Sequence, residues 1–252
     1  MKLVALINDT TGAMIASAYE DPETFVGVIF GTGCNGAYME EVKNIGKLNT
    51  DLSGDTRMAI NCEYGAFDNS HEVLPRTQYD ILIDEDSPKP GEQAYEKMSA
   101  GLYLGEIFRL ILLELHGKSV IFKGQEVPKL HEPYCLDTGF LSAVEHNAQP
   151  GILFDSPTRD AFKKKLEIDI SDQEIIFARR AAQLISIRGA RLCTCGVAAI
   201  TNKTGRKSGH VAADGSVANK HPEFKRRWQK AMAEVLDWPS DRTEDPITIT
   251  SA

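Results

Sequence analysis

The sequence has no long unbroken apolar run, so no membrane span is expected. Its most apolar stretch, Ile107 to Leu115, is interrupted by Arg109 and Glu114, whereas a span needs about 20 residues. No secretory leader is expected, because Met-Lys-Leu-Val-Ala-Leu-Ile runs into Asn8-Asp9 without a small-residue cleavage site. Positive charge is in deficit: 28 Lys and Arg face 36 Asp and Glu, for a net charge of -8. That balance argues against a nucleic-acid or anionic-membrane partner. A disulfide framework is also missing. The five cysteines (Cys34, Cys62, Cys135, Cys193 and Cys195) are odd in number and scattered, which points to a reducing, cytoplasmic compartment. Cys193 and Cys195 form a C-x-C pair without further ligands at zinc-site spacing, so no metal site is expected. Gly31-Thr32-Gly33-Cys34-Asn35-Gly36 has G-x-G-x-x-G spacing but leads into an expected strand and not a helix, and no Walker loop is present, so the Rossmann and P-loop readings have no support.

What remains is an ordinary globular composition, 42% apolar and 25% charged over 252 residues, enough for one large core or two small ones. Leu3 to Ile7 reads as a short buried strand, and Asp9 or Thr10 as the cap of a helix through Tyr19. Thr24 to Phe30 is β-branched and aromatic, hence a strand. It ends in Gly31-Thr32-Gly33-Cys34-Asn35-Gly36, with a second strand expected over Ala37 to Val42. Gly46 to Arg57 is polar loop, Met58 to Cys62 a strand ending at Glu63, and Asp68 to Pro90 a loop whose Asp84-Glu85-Asp86 run is solvated. Gly91 to Leu115 has helical spacing throughout, with Tyr95, Met98 and Leu102 on one stripe. Residues 118–170 carry no clear period. Ser171-Asp172-Gln173-Glu174 is a capping box opening a long helix with Ile175, Ile176, Ala178, Ala182, Ile185 and Leu192 in its core face. Gly209 to Asn219 reads as a hairpin about Asp214-Gly215, Glu223 to Leu236 as a helix and Pro246 to Thr250 as a strand. Strands interleaved with helices give an α/β or mixed class.

Several residues can carry chemistry. Asp9, directly after a strand, can be a general base or a helix cap. Gly31-Thr32-Gly33 can cradle a phosphate oxygen with backbone N–H groups and a hydroxyl, or be a plain hairpin turn. Such a loop would supply the local anion site that the acidic surface lacks. Asn35 and Glu63 at strand ends, and Glu96 in the first turns of a helix, are the amide and carboxylate types that can pair with two sugar hydroxyls at once. Each alone is equally compatible with a surface position.

Together these segments lose that ambiguity. Leu6-Ile-Asn-Asp-Thr-Thr-Gly12, Gly27-Val-Ile-Phe-Gly-Thr-Gly-Cys-Asn-Gly36, Asn61-Cys-Glu-Tyr-Gly-Ala-Phe-Asp68, Pro90-Gly-Glu-Gln-Ala-Tyr-Glu-Lys97 and Gly209-His-Val-Ala-Ala-Asp-Gly-Ser216 resemble, in order and spacing, the eukaryotic hexokinases. Val73-Leu-Pro-Arg-Thr-Gln-Tyr-Asp80 is similar to the fungal branch. The resemblance implies the actin-like ATPase (ribonuclease H-like) fold, with residues 1–252 as the large domain. It implies ATP-dependent phosphorylation of a hexose (glucose, mannose or fructose) at the 6-hydroxyl, with ATP carrying Mg²⁺. By the same resemblance Asp9 is the catalytic base; Asn8, Asp9, Asn35, Glu63 and Glu96 meet the hexose; Gly31, Thr32 and Gly33 form a phosphate loop; and Gly101 lies near the nucleotide. The family also carries a small domain with a first phosphate loop and a Thr-Lys pair, and a later Gly-Ser-Gly segment. None of these is in the sequence, so a fragment inactive by itself, with bare apolar surface, is expected. The alternative is a non-catalytic sugar sensor of the same family, which the presence of all five hexose residues disfavours.

Overall fold

The computed structural model describes residues 6–48, 56–146 and 156–252. Most of the strand expected over Leu3 to Ile7 lies outside them, as do residues 49–55 of the polar loop. Helix α1 (Asp9–Glu20) leads into β1 (Thr24–Phe30) and β2 (Cys34–Glu41), and β3 (Arg57–Asn61) follows. Then come α2 (Gln78–Glu85), α3 (Ala94–Ser99), α4 (Gly101–Gly117), α5 (Thr138–His146), α6 (Ser156–Leu166) and α7 (Asp172–Thr204). The chain returns through β4 (Gly209–Asp214), α8 (Ser216–Lys220), α9 (Phe224–Val235) and β5 (Ile247–Ser251).

The five strands among the described residues form one sheet in the order β3-β2-β1-β4-β5. β1 is antiparallel to β2 and parallel to β4, and β5 runs parallel to β4. Alternation along β1 sends its side chains to two layers. On one face Gly27 lies against Met14 of α1, where an added Cβ would sit 2.6 Å from the Met14 Cβ. On the other, Phe30 meets Trp228 of α9 edge-on at 5.1 Å between ring centroids. The main core lies on that second face, where Val26, Val28 and Phe30 join Val211, Ala213, Leu104, Phe108, Val197 and Trp228. Helix α7 passes under the sheet here. An 18-residue window of α7 is apolar enough for a membrane span, but more than half of that window is buried inside the fold. Its start is the expected capping box, with Ser171 and Glu174 each accepting the other's backbone N–H.

Five expectations need correction. The acidic segment before Pro90 is not all loop: Thr77 and Asp80 form a capping box that opens α2. Its Asp84 is buried against the Lys97 ammonium at 2.7 Å, while Glu85 and Asp86 are exposed. The helix expected over Gly91 to Leu115 is two helices. Ala100 is extended (φ -79°, ψ 152°), and the Gly101 N–H turns to the Gly31 carbonyl at 2.7 Å. The hairpin about Asp214-Gly215 does not form. β1 and β5 already flank β4, so no edge is left for a returning strand, and the chain enters α8 instead. Gly215 makes that exit at φ 106°, pressed on the Phe30 carbonyl where a side chain could not fit. Ile176 and Leu102, expected inward, are exposed. Finally, Asn8 caps α1, not Asp9 or Thr10; its side chain accepts the Thr10 N–H at 2.9 Å.

Candidate active site

Parallel β1 and β4 end on the same edge of the sheet, and the site is built there, where α/β folds place ligands. Residues 31–33 link β1 to β2 and, with Cys34 and Asn35 at the start of β2, form its centre. On one flank this loop meets a cluster of polar side chains. Asn35 is buried, and its Oδ1 accepts the Gly36 N–H at 2.7 Å and the Glu63 N–H at 2.9 Å. Its Nδ2 donates to Asn61 Oδ1 at 2.6 Å and Glu63 Oε1 at 3.1 Å. Glu63 sits just past β3 in the left-handed region (φ 51°, ψ 42°), a conformation that persists only where surroundings enforce it. Glu96 reaches the same loop from α3, its Oε2 accepting the Cys34 N–H at 3.0 Å. Gly33 and Gly65 make room for it: a Cβ on Gly33 would lie 2.7 Å from that oxygen. Burial beneath the loop pushes the Cys34 thiol up to about 12, so it is no nucleophile at neutral pH.

Buried ion pairs hold the helices that present this cluster. Arg188 of α7 donates to both carboxylate oxygens of Asp80, at 2.9 and 2.5 Å, and to the Met98 carbonyl at the end of α3 at 3.2 Å. Lys97, next to Glu96, donates to Asp84 and to the Lys89 carbonyl, each at 2.7 Å. Desolvation alone would raise both aspartates, but the Arg188 and Lys97 partners outweigh it and hold them below the usual carboxylate range.

The other flank of the loop opens on a cleft of about 640 Å³ lined by Gly31, Thr32, Gly101, Thr138, Ser142 and Lys220, among others. Glycines and hydroxyl side chains are prominent in it, beside the apolar Leu102, Ala143 and Pro222. The starts of α4 and α5 both face it, and helix starts attract anions. Gly101 permits the close approach: a Cβ there would be 2.5 Å from Val217 and 2.7 Å from the Gly31 carbonyl. Asp137 also lines the cleft, but its Oδ1 caps α5 by accepting the Phe140 N–H at 2.8 Å. Lys220, exposed, is the one Lys or Arg in the lining among the described residues. Behind the cleft Glu145 accepts from both terminal nitrogens of Arg227 and lies 3.2 Å from His221 Nε2. Burial works against the Glu145 carboxylate, yet the His221 and Arg227 contacts bring it down to about 2.

The structure thus gathers Asn35, Glu63 and Glu96 on one flank, and Gly31, Thr32 and Gly101 on the other. Gly33 departs from its companions and packs on Glu96. Asn8 and Asp9 belong to neither cluster. They begin α1, which runs antiparallel to β1 and so starts at this same edge. With Asn8 as the cap, Asp9 is left exposed, its Oδ1 accepting the Thr10 N–H at 2.8 Å. Sequence reasoning missed Asn61, Thr138, Ser142 and Lys220. Asp137-Thr138-Gly139 carried a cap signal in a stretch without clear period; Asn61 had none.

A hexokinase family model matches residues 25–252. Over its whole length the chain is 49% identical to hexokinase-1 of Saccharomyces cerevisiae, covering 52% of that protein. It is 38% identical to human hexokinase-3 over 89% of the chain, covering 24% of that protein. Among solved structures, the hexokinase of Schistosoma mansoni complexed with glucose superposes with a TM-score of 0.87 at 31% identity, over 99% of this chain and 55% of that one. The chain spans about half the length of the first fungal relatives it matches. The sheet and its flanking helices have the actin-like ATPase architecture of these neighbours. The chain belongs to the hexokinase family.

Proposed function

We propose that this chain is the large-domain wall of an enzyme that transfers the γ-phosphoryl group of ATP to the 6-hydroxyl of a hexose, glucose first among them. One observation carries the reading. A single segment, residues 31–35, joins a carboxylate–amide cluster suited to sugar hydroxyls to a cleft of helix starts and hydroxyls suited to phosphates. Cys34 donates to Glu96 on one side, and Gly31 accepts from Gly101 on the other.

Asn35, Glu63 and Glu96 hold the hexose, with Asn8 adding its amide. The exposed Asp9 takes the proton of the attacking 6-hydroxyl, a role worth on the order of 10²–10⁴-fold. Thr32 and the N–H groups near Gly31 and Gly101 hold phosphate oxygens, Thr138 and Ser142 offer further hydroxyls, and Lys220 supplies positive charge. Most of the catalysis in such a transfer is positioning and charge stabilisation. Mg²⁺ enters on the nucleotide, whose phosphates supply oxygen ligands of the kind it prefers. A second wall completes the reaction by excluding water, so residues 1–252 alone turn over negligibly. A cytoplasmic location fits the unpaired cysteines.

The test is a chimera in which this chain replaces the corresponding half of Saccharomyces cerevisiae hexokinase-1. Glucose-dependent ADP release is expected, reduced at least about 100-fold by Asp9→Ala. A folded chimera that releases no ADP, or an Asp9→Ala chimera of undiminished rate, would remove the reading.

A further inference from the structure

We propose that Asn61 is the positioning residue of the hexose cluster: it holds the fully paired Asn35 amide in place and fixes which oxygen of Glu63 stays free to meet the sugar. The inference rests on the hexose reading above. Chemistry alone assigns the amides. The atom of Asn35 that faces the Gly36 and Glu63 N–H groups must be its oxygen, since backbone N–H only donates. Its Nδ2 therefore faces Asn61, whose nearer atom must in turn be Oδ1, at 2.6 Å. That leaves Asn61 Nδ2 against Glu63 Oε1 at 2.7 Å. Glu63 Oε1 thus receives two donors, from Asn61 and from Asn35. Oε2 is the oxygen left to accept from a sugar hydroxyl. Asn61 itself ends β3 on the edge of the sheet and is exposed. Its effect on the sugar runs through its two neighbours.

Aspartate in its place keeps the acceptor for Asn35 but sets a second carboxylate oxygen against Glu63 Oε1. Two carboxylates so close cannot both ionise readily, and one proton is held to higher pH. While that proton is shared, the donor to Glu63 is restored. Once it leaves, repulsion turns Glu63 away. Hexose affinity of Asn61→Asp should then rise as pH falls. The ionisable groups around Glu63 are Cys62, Cys34, Tyr64 and Glu96. Burial lifts Cys62 to about 11 and Cys34 to about 12, and lifts Tyr64 well above its ordinary value, so these three stay protonated across the range of interest.

The experiment titrates glucose into the chimera described above, carrying either the unsubstituted (wild-type) or the substituted chain, followed by NMR at about pH 5 and about pH 8, which bracket a raised carboxylate pair. The Glu63 carboxyl resonance is tracked with and without sugar. Wild type should bind alike at both pH values. Asn61→Asp should bind at least about tenfold more weakly at the higher pH, a loss of about 1.4 kcal/mol, and recover at the lower. Asn61→Ala should be weak at both. Without glucose, the carboxyl pair that Asn61→Asp creates with Glu63 should titrate at higher pH than Glu63 does in wild type. Wild-type affinity in Asn61→Asp at the higher pH, or a loss equal at both pH values, overturns the role of Asn61. If glucose moves no resonance of the wild type, the hexose reading fails instead. An unshifted carboxyl titration in Asn61→Asp would then separately refute the contact between Asn61 and Glu63.

Discussion

Where residues 31–35 face Glu63, the contacts are made by side chains that hold one another; where they face Gly101, they border a cleft rich in glycine and hydroxyl groups, with the exposed Lys220 in its lining. Asn35 uses both ends of its amide on neighbours within the protein. The cleft beside it depends instead on how closely main chain can approach main chain, as Gly101 does to Gly31. The difference follows from the proposed ligands. A sugar shows hydroxyls in a fixed pattern, which needs oriented donors and acceptors. A phosphate is a nearly symmetric anion, which helix starts and N–H groups satisfy without side-chain identity. Reading a sugar therefore demands a second layer that fixes each reader, while binding a phosphate demands space.

The largest expected effect tests that second layer. Arg188→Ala leaves Asp80 buried, with 2% of its surface exposed, and without its bidentate partner. Breaking such a pair costs about 3–5 kcal/mol. Urea unfolding should show it, and a loss below about 1 kcal/mol, the worth of a surface pair, would mean the layer is dispensable. Arg188 also holds the Met98 carbonyl, so hexose affinity should fall before global unfolding.

Gly101→Ala tests the space on the other flank. The new methyl would meet Val217 and the Gly31 carbonyl, an overpacking cost of about 1–3 kcal/mol. In the chimera, nucleotide affinity should fall about tenfold or more while hexose affinity changes less than about threefold. Equal losses would erase the distinction between the flanks.

Much of this was legible in the sequence, and the exceptions share a cause. Thr24 to Phe30 announced a buried strand, and Ser171 to Glu174 announced a helix start, because both signals are local. The break at Ala100 was not legible, because it depends on a hydrogen bond to Gly31, some 70 residues earlier. Asp84 looked solvated because its partner Lys97 lies in a different helix. Asp214-Gly215 has the composition of a hairpin, and only the presence of strands on both sides of β4 forbids one. In the site, Glu63 and Glu96 stood out by resemblance to a family. Asn61, at the end of a short strand, did not, although it binds directly to Glu63 and to Asn35, which stood out in the same way.

A pH experiment separates the frames behind the flanks. Glu145, brought down to about 2 by His221 and Arg227, ties α5 and α9 to the residue after α8. A carboxylate depressed in the folded state contributes stability that is fully present above its unfolded value of about 4.3. That contribution disappears as pH falls toward the folded value. Glu145→Gln should therefore be less stable than wild type at about pH 6, with the gap closing by about pH 2.5. A gap that widens on acidification would reverse the assignment.

The smallest effect belongs to Thr32→Val, and it sharpens the comparison most. Thr32 is exposed at the cleft, so the near-isosteric change removes a hydroxyl and leaves the loop unstrained. A hydrogen bond of this kind contributes about 0.5–1.5 kcal/mol, or about two- to twelvefold in affinity. If phosphates rest mainly on backbone N–H groups, nucleotide affinity should fall toward the lower end of that range, with stability and hexose affinity unchanged. A loss near a hundredfold would mean that the cleft, like the sugar cluster beside it, reads its ligand with a side chain. The contrast between the flanks would then be one of degree.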